Sequence, residues 1–177
     1  MDRPTSRTGH RGASNAPEAA AGNSSQFITF TLAEQEYGVD IMAIREIKGW
    51  IETTSIPHAP DFIRGVINLR GIIVPIMDLR ARFGMALTEP TAMHVVIIIT
   101  LGTRTTGLLV DAVSDIITVA PASIRAIPEM GAGEQESLLT GLVALDDRMV
   151  SLVSLERLIG TGGAAPLIHD GMLLAAA

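Results

Sequence analysis

The sequence predicts an all-β fold of two small barrels packed side by side, and three observations carry that prediction. Hydrophobic residues make up 47% of the 177-residue chain but aromatics only 3%, so the interior must be built from Ile, Val, Leu and Met, a composition that favours strands. Short apolar runs with two-residue alternation stop at polar or glycine-containing turns. The pattern of the first half also recurs in the second, and a chain of this length fits one domain or two small lobes sharing a core.

The repeat is read by laying the chain on itself. Phe27 to Ile47 overlays Val96 to Ile116 without a gap, so that Ile28 meets Ile97, Thr31 meets Thr100, Gly38 meets Gly107 and Glu46 meets Asp115. A second block, Gly65 to Gly84, overlays Gly141 to Gly160, pairing Leu69 with Leu145, Val74 with Val150 and Leu79 with Leu155. The surplus of the second copy falls between its blocks. The glycine-rich stretch Met130 to Glu136 is its natural place, because insertions are tolerated in surface loops.

Each block reads as short strands. Phe27 to Leu32 alternates and stops at a polar Glu34-Gln35-Glu36 turn, from which a hairpin returns through Tyr37 to Ile44. Leu69-Arg70-Gly71-Ile72 is a second hairpin, with Gly71 suited to the positive φ of a tight turn. Asp146-Asp147 holds the same place in the other copy and predicts a looser turn. Pro75 removes a ladder donor and predicts an edge strand or a bulge. Asp78 to Gly84 and Ser154 to Gly160 each begin on a capping residue and end in glycine, as short helices do. Residues 1–25 and 161–177 read as disordered tails.

Composition also limits function. The 13 Lys and Arg against 19 Asp and Glu give a net charge of −6, which opposes a grip on phosphate backbones, and the scarcity of aromatics removes stacking platforms, so nucleic acid is not an expected partner. The apolar run Val95 to Ile99 is far short of the ~20 residues of a spanning helix, and no membrane insertion is expected. Cysteine is absent, which excludes thiolate chemistry. His10, His58, His94 and His169 are scattered, Gly131-Ala-Gly133 lacks the Lys-Ser/Thr of a phosphate loop, and the carboxylates sit at turns and helix starts. No catalytic residue, cofactor site or metal site is assigned.

The run Phe62-Ile-Arg-Gly-Val-Ile-Asn-Leu-Arg-Gly-Ile-Ile-Val-Pro-Ile-Met-Asp-Leu-Arg80 resembles the signature of the CheW coupling-protein family. The likeness continues through Glu36 to Ile41, Arg45 to Ile47, Gly107 to Asp111, Val113 to Asp115 and Leu139 to Leu155, and spans roughly Gln26 to Ile159. It implies a domain over about 26–160 made of two SH3-like five-stranded β-barrels around a shared apolar seam. The first lobe would cover about 26–90 and the second about 91–160, with exchange of a strand between them left open. It also implies a non-catalytic adaptor without cofactors. Such an adaptor binds the regulatory domain of the histidine kinase CheA and the cytoplasmic tip of methyl-accepting chemotaxis receptors. It is cytoplasmic and recruited to membrane-associated receptor arrays.

By the same resemblance Ile44, Arg70, Val95 and Ile116 would form a receptor-binding groove between the lobes, and Glu46, Ile47, Ile72 and Ile73 would face the kinase. Two readings stay open for each. Ordinary core is the alternative for Ile44, Val95 and Ile116, and a hairpin cap or a carboxylate pair for Arg70. A guanidinium–carboxylate pair between Arg70 and Glu46 is expected to be bidentate; if buried, loss of one partner would cost ~3–5 kcal/mol. The alternatives to a chemotaxis adaptor are an adaptor of another receptor–kinase pathway, or a small-ligand-binding or hydrolytic protein using the cleft between lobes.

Overall fold

The computed structural model describes residues 23–128, 133 and 135–160. The expectations for most of the two tails and for Gly131 therefore lie outside the described residues. Five strands and a short helix are followed by six strands and a short helix. The first copy holds β1 (Ser25–Leu32), β2 (Gln35–Asp40), β3 (Ile44–Gly49), β4 (Ile63–Leu69), β5 (Ile72–Asp78) and α1 (Leu79–Arg82). The second holds β6 (Val95–Leu101), β7 (Arg104–Val110), β8 (Ala112–Val119), β9 (Ile124–Arg125), β10 (Leu139–Ala144), β11 (Met149–Val153) and α2 (Leu155–Gly160).

The strands form two sheets, ordered β8-β1-β2-β11-β10-β9 and β3-β6-β7-β5-β4. The overlay of the two halves turns one order into the other, with the isolated bridge Thr54–Val66 standing where β9 pairs with β10. Each sheet thus combines strands from both halves. The β1–β2 hairpin lies among the second-half strands through a parallel contact of β2 with β11, and β6–β7 lies among the first-half strands through a parallel contact of β7 with β5. The exchange is of a whole hairpin in each direction.

Ladders do not close either sheet into a complete barrel. β3 and β4, the margins of the five-stranded sheet, approach through the Thr54–Val66 bridge and a contact of Arg70 with Glu46 rather than through strand pairing. Three apolar clusters fill the two-lobed structure. One sits within each sheet, around Val74, Ile76, Val96 and Ile98 and around Val119, Val143, Val150 and Leu152. The third is shared, taking Phe30, Leu32 and Val39 from one sheet, Ile97, Ile99 and Leu108 from the other, and Leu79 and Leu158 from the helices. Burial of each such side chain contributes about 1.5–3 kcal/mol. Half of the few rings meet in this seam: Phe30 stacks on Tyr37 at 5.9 Å and Tyr37 tilts on Phe83 at 5.1 Å. The Tyr37 hydroxyl donates to Gln35 Oε1 at 2.8 Å, and burial pushes its phenol pKa up.

Local expectations fare unequally. The first turn is Ala33-Glu34, with Ala33 at φ 55°, and Gln35 already belongs to β2. The Arg70-Gly71 turn has φ of 51° and 87°, as a two-residue hairpin of right-handed twist requires. Its counterpart turns at Asp146-Asp147, where the Leu145 and Arg148 backbones hydrogen-bond each other at 2.8 and 3.3 Å and neither aspartate takes a positive φ. Pro75 is not on an edge strand: β5 lies between β7 and β4. The proline is tolerated because β5 pairs with β7 only from Ile76 onward, so the missing donor falls outside that ladder.

Helix α1 is capped by Asp78, whose fully buried carboxylate accepts from the Arg80 and Ala81 amides and from both the amide and hydroxyl of Thr88 at 2.8 and 2.7 Å. Its counterpart Ser154 accepts from the Arg157 amide. A second carboxylate joins the sheets. Asp111 takes a fork from Arg80, through Nε at 2.8 Å and through Nη2, and its Oδ2 also accepts from the Ala33 amide at 2.7 Å. The Thr91 amide donates to His94 Nδ1 at 3.0 Å, and His94 Nε2 lies 3.7 Å from Asp111 Oδ1. Burial alone raises the Asp111 pKa. The Arg80 and Ala33 hydrogen bonds and the Arg80 and His94 charges outweigh it and hold the carboxyl below its usual range.

Candidate functional site

Among the described residues, the large apolar side chains Ile47, Ile72, Ile73, Ile116 and Met149 are exposed on sheet-margin or hairpin segments. β3 alternates between half-buried and exposed positions, so Ile44, Glu46 and Lys48 turn inward while Ile47 turns to solvent. Ile72 and Ile73 are both exposed because the start of β5 has no neighbour on the β7 side. Between these segments Arg70 Nη2 donates to Glu46 Oε1 at 2.7 Å, and Lys48 Nζ lies 3.8 Å from the other oxygen. The guanidinium touches one oxygen, not two, and the Arg70 side chain is 66% exposed. The expected fork is therefore a single contact in solvent, because Arg70 sits at the hairpin tip and Glu46 shares its charge with Lys48.

The overlay places a second surface of the same kind on the other sheet. Ile116 on β8 corresponds to Ile47, and Met149 at the start of β11 corresponds to Ile73. All four are large apolar side chains 42–57% exposed. Asp115 corresponds to Glu46, and a hairpin arginine again approaches the edge-strand acid, with Arg148 Nη2 4.0 Å from Asp115 and Nη1 3.2 Å from Glu36. The Glu36 contact is ionic without hydrogen-bond geometry. Sequence reading missed Met149 and Arg148 as surface groups, although the repeat itself points to them.

The four groove residues do not share one element. Ile44 pairs with Ile99 and Val95 with Gly49, so they stand at opposite ends of the β3–β6 ladder, both half-buried against the shared core. Ile116 faces Ile28 across β1–β8 in the other sheet, and Arg70 projects from the β4–β5 turn. Of all predicted site residues, Glu46 and Arg70 are brought into direct contact.

The surface also carries hollows. An open cleft of about 550 Å³ is lined by Trp50, Glu52, Thr53, Ser55, Asp61, Ile63, Arg64 and Pro90. A smaller one of about 220 Å³ lies at the seam, lined by Gln35, Tyr37, Phe83, Met85, Gln135, Glu136, Leu139 and Ser151. The seam hollow carries one carboxylate, Glu136, among its lining residues. Among the described residues no three His, Asp or Glu side chains gather as metal ligands, and no helix is long and apolar enough to cross a membrane.

A doubled β unit with hairpins exchanged, a shared seam and an apolar patch on each sheet is matched over residues 26–162 by the family model described as CheW-like domain. The chain belongs to the CheW-like domain family. It is 44% identical over 142 residues to the chemotaxis protein CheW of Rhizobium meliloti (strain 1021), a match covering 80% of this chain and 92% of that protein. It is 45% identical over 136 residues to the chemotaxis protein CheW of Klebsiella aerogenes, covering 77% of this chain and 82% of that one. The crystal structure of the scaffolding protein TtCheW from Thermoanaerobacter tengcongensis superposes with a TM-score of 0.70 at 32% identity, covering 84% of this chain and 93% of that one. The CheW-like assignment thus agrees with the two-lobed all-β fold predicted from sequence.

Proposed function

We propose that this chain is a non-catalytic adaptor that couples methyl-accepting chemotaxis receptors to the histidine kinase CheA at cytoplasmic signalling arrays. The observation that carries the reading is the pair of exposed apolar patches, one on each sheet, within a CheW-like domain whose relatives are named as chemotaxis and scaffolding proteins. A chain offering two greasy surfaces and little converging polar chemistry acts by holding partners together. Weak contacts at each surface then sum through effective concentration in an array.

In this reading Glu46, Ile47, Ile72 and Ile73 contact the CheA regulatory domain, and Ile44, Arg70, Val95 and Ile116 contact the receptor tip. An isoleucine buried in an interface contributes about 1.5–3 kcal/mol, so one charged replacement weakens binding by at least about tenfold. The test is paired pull-down of Ile47→Glu and Ile116→Glu against the isolated regulatory domain and a receptor cytoplasmic fragment, with circular dichroism as a folding control. Ile47→Glu is expected to lose the kinase domain and keep the receptor, and Ile116→Glu the reverse. Native-like variants that keep both partners would reject the assignment.

A further inference from the structure

The two sheets are joined covalently at two places among the described residues: from β2 to β3 through Asp40–Ile44, and from β7 to β8 through Asp111. The overlay makes these junctions equivalent, yet they are built differently. At the second, one residue separates the strands, and its carboxylate binds the fork of Arg80 from α1 and the Ala33 amide of the β1–β2 turn. The Asp111 amide also donates to the Thr31 carbonyl at 3.1 Å. These contacts tie the hairpin of one sheet to the helix following the other.

The mirrored positions hold groups that form no such clamp. Asp111 overlays Met42, Arg80 overlays Glu156, and Ala33 overlays Gly102. The turn conformation is kept, with φ of 55° at Ala33 and 60° at Gly102. The carboxylate is replaced by a thioether 87% exposed to solvent, and the guanidinium by an exposed carboxylate. The shared core resists separation on both sides, but apolar contact is non-directional, whereas a fork to both carboxylate oxygens fixes an orientation.

We infer that the molecule has a pinned side and a compliant side: Asp111 and Arg80 act as positioning residues that hold the angle between the sheets, and residual motion occurs at the Met42 junction. Because Glu46, Ile47, Ile72 and Ile73 lie on the five-stranded sheet and Ile116 on the other, that angle sets how Ile116 stands to the kinase-facing residues, while Ile44, Arg70 and Val95 move with them. This consequence, unlike the pivot itself, rests on the adaptor reading.

The chain contains no cysteine, so two introduced cysteines can be spin-labelled specifically in the full-length protein. Glu34→Cys with Leu87→Cys spans the pinned side, and Thr103→Cys with Glu156→Cys spans the compliant side; all four positions are exposed. Pulsed dipolar spectroscopy should give a narrower distance distribution across the pinned side. Asp111→Asn and Arg80→Lys should each broaden it, and a charge swap, Arg80→Asp with Asp111→Arg, should narrow it again. If Asp111→Asn does not fold, Arg80→Lys carries the test, since it keeps the charge and loses the fork. Equal widths on both sides, or a pinned side unmoved by either folded variant, overturn the inference without touching the adaptor reading. In a reconstituted assay the folded variants should retain binding to each partner separately and lose receptor-dependent kinase control. Full control with a broadened distribution would overturn the functional consequence alone.

Discussion

Replacing Arg70 by Ala tests how much of this surface is scaffold and how much is contact. Both residues carry a Cβ, so the cost of the positive φ at this position cancels and only the side chain is removed. What is lost is one 2.7 Å ion pair with Glu46, whose partners are 66% and 24% exposed. Two charges in contact attract by about 4 kcal/mol at an effective dielectric of about 20. Ordering and desolvation reduce exposed pairs to about 0.2–1 kcal/mol in measured cycles. Lys48 remains 3.8 Å from Glu46 after the change, so the expected loss is about 0.5 kcal/mol, or about 1–2 °C in Tm for a domain of this size. The assay is a urea-denaturation double-mutant cycle of Arg70→Ala and Glu46→Ala at low salt and at about 1 M salt, where the screening length falls to about 3 Å. The coupling should shrink toward zero in high salt. A coupling near 3 kcal/mol that survives salt would refute the account of an exposed, screened pair. If Arg70 meets a receptor, its loss should weaken receptor binding far more than it weakens the fold.

Other outcomes follow from the same geometry. Gly107 and Gly38 occupy equivalent places, but a Cβ at Gly107 would lie 2.4 Å from Ile76 Cδ1 and 2.9 Å from Val96 Cγ1, whereas at Gly38 its nearest neighbour would be Leu152 Cδ2 at 3.1 Å. Gly107→Ala should therefore cost about 1–3 kcal/mol and Gly38→Ala clearly less, as read by urea midpoints; equal costs would contradict the packing described. Asp78→Ala strips the α1 cap and the Thr88 partners from a fully buried site and should cost about 3–5 kcal/mol, against about 1 kcal/mol for Ser154→Ala at the equivalent cap of α2. The folded pKa of Asp111 lies below its unfolded value, so its stabilisation is complete above the unfolded value, about 4, and is lost as pH falls through the lower folded value. Asp111→Asn should remove that part of the acid-unfolding slope, and identical pH profiles for the two proteins would sink the assignment.

Much of this fold is legible in the sequence because it is written twice. The overlay of Gly38 on Gly107 and of Asp78 on Ser154 identifies equivalent strands and helix starts, and Arg70-Gly71 states its own turn chemistry. The exchange of hairpins is not legible, since β1–β2 and β6–β7 share one pattern and either set of neighbours would bury it equally well. Pro75 misleads for a related reason: whether a strand is an edge depends on the partial overlap of β5 with β7, a tertiary fact. The Asp111 clamp draws on Ala33, Arg80 and His94, which no local pattern connects. Among the candidate site residues, the Arg70–Glu46 contact comes from charge complementarity alone, while its exposure depends on the curl of the sheet. Met149 joins the surface only once the repeat is followed past the first lobe.

The adaptor claim is tested most directly by autophosphorylation of purified CheA in the presence of receptor-bearing membranes, with and without this chain. Kinase activity is expected to respond to receptor ligand only when the chain is present, and the kinase alone to be unaffected by it. Ligand-controlled kinase activity of equal size in its absence would contradict the account.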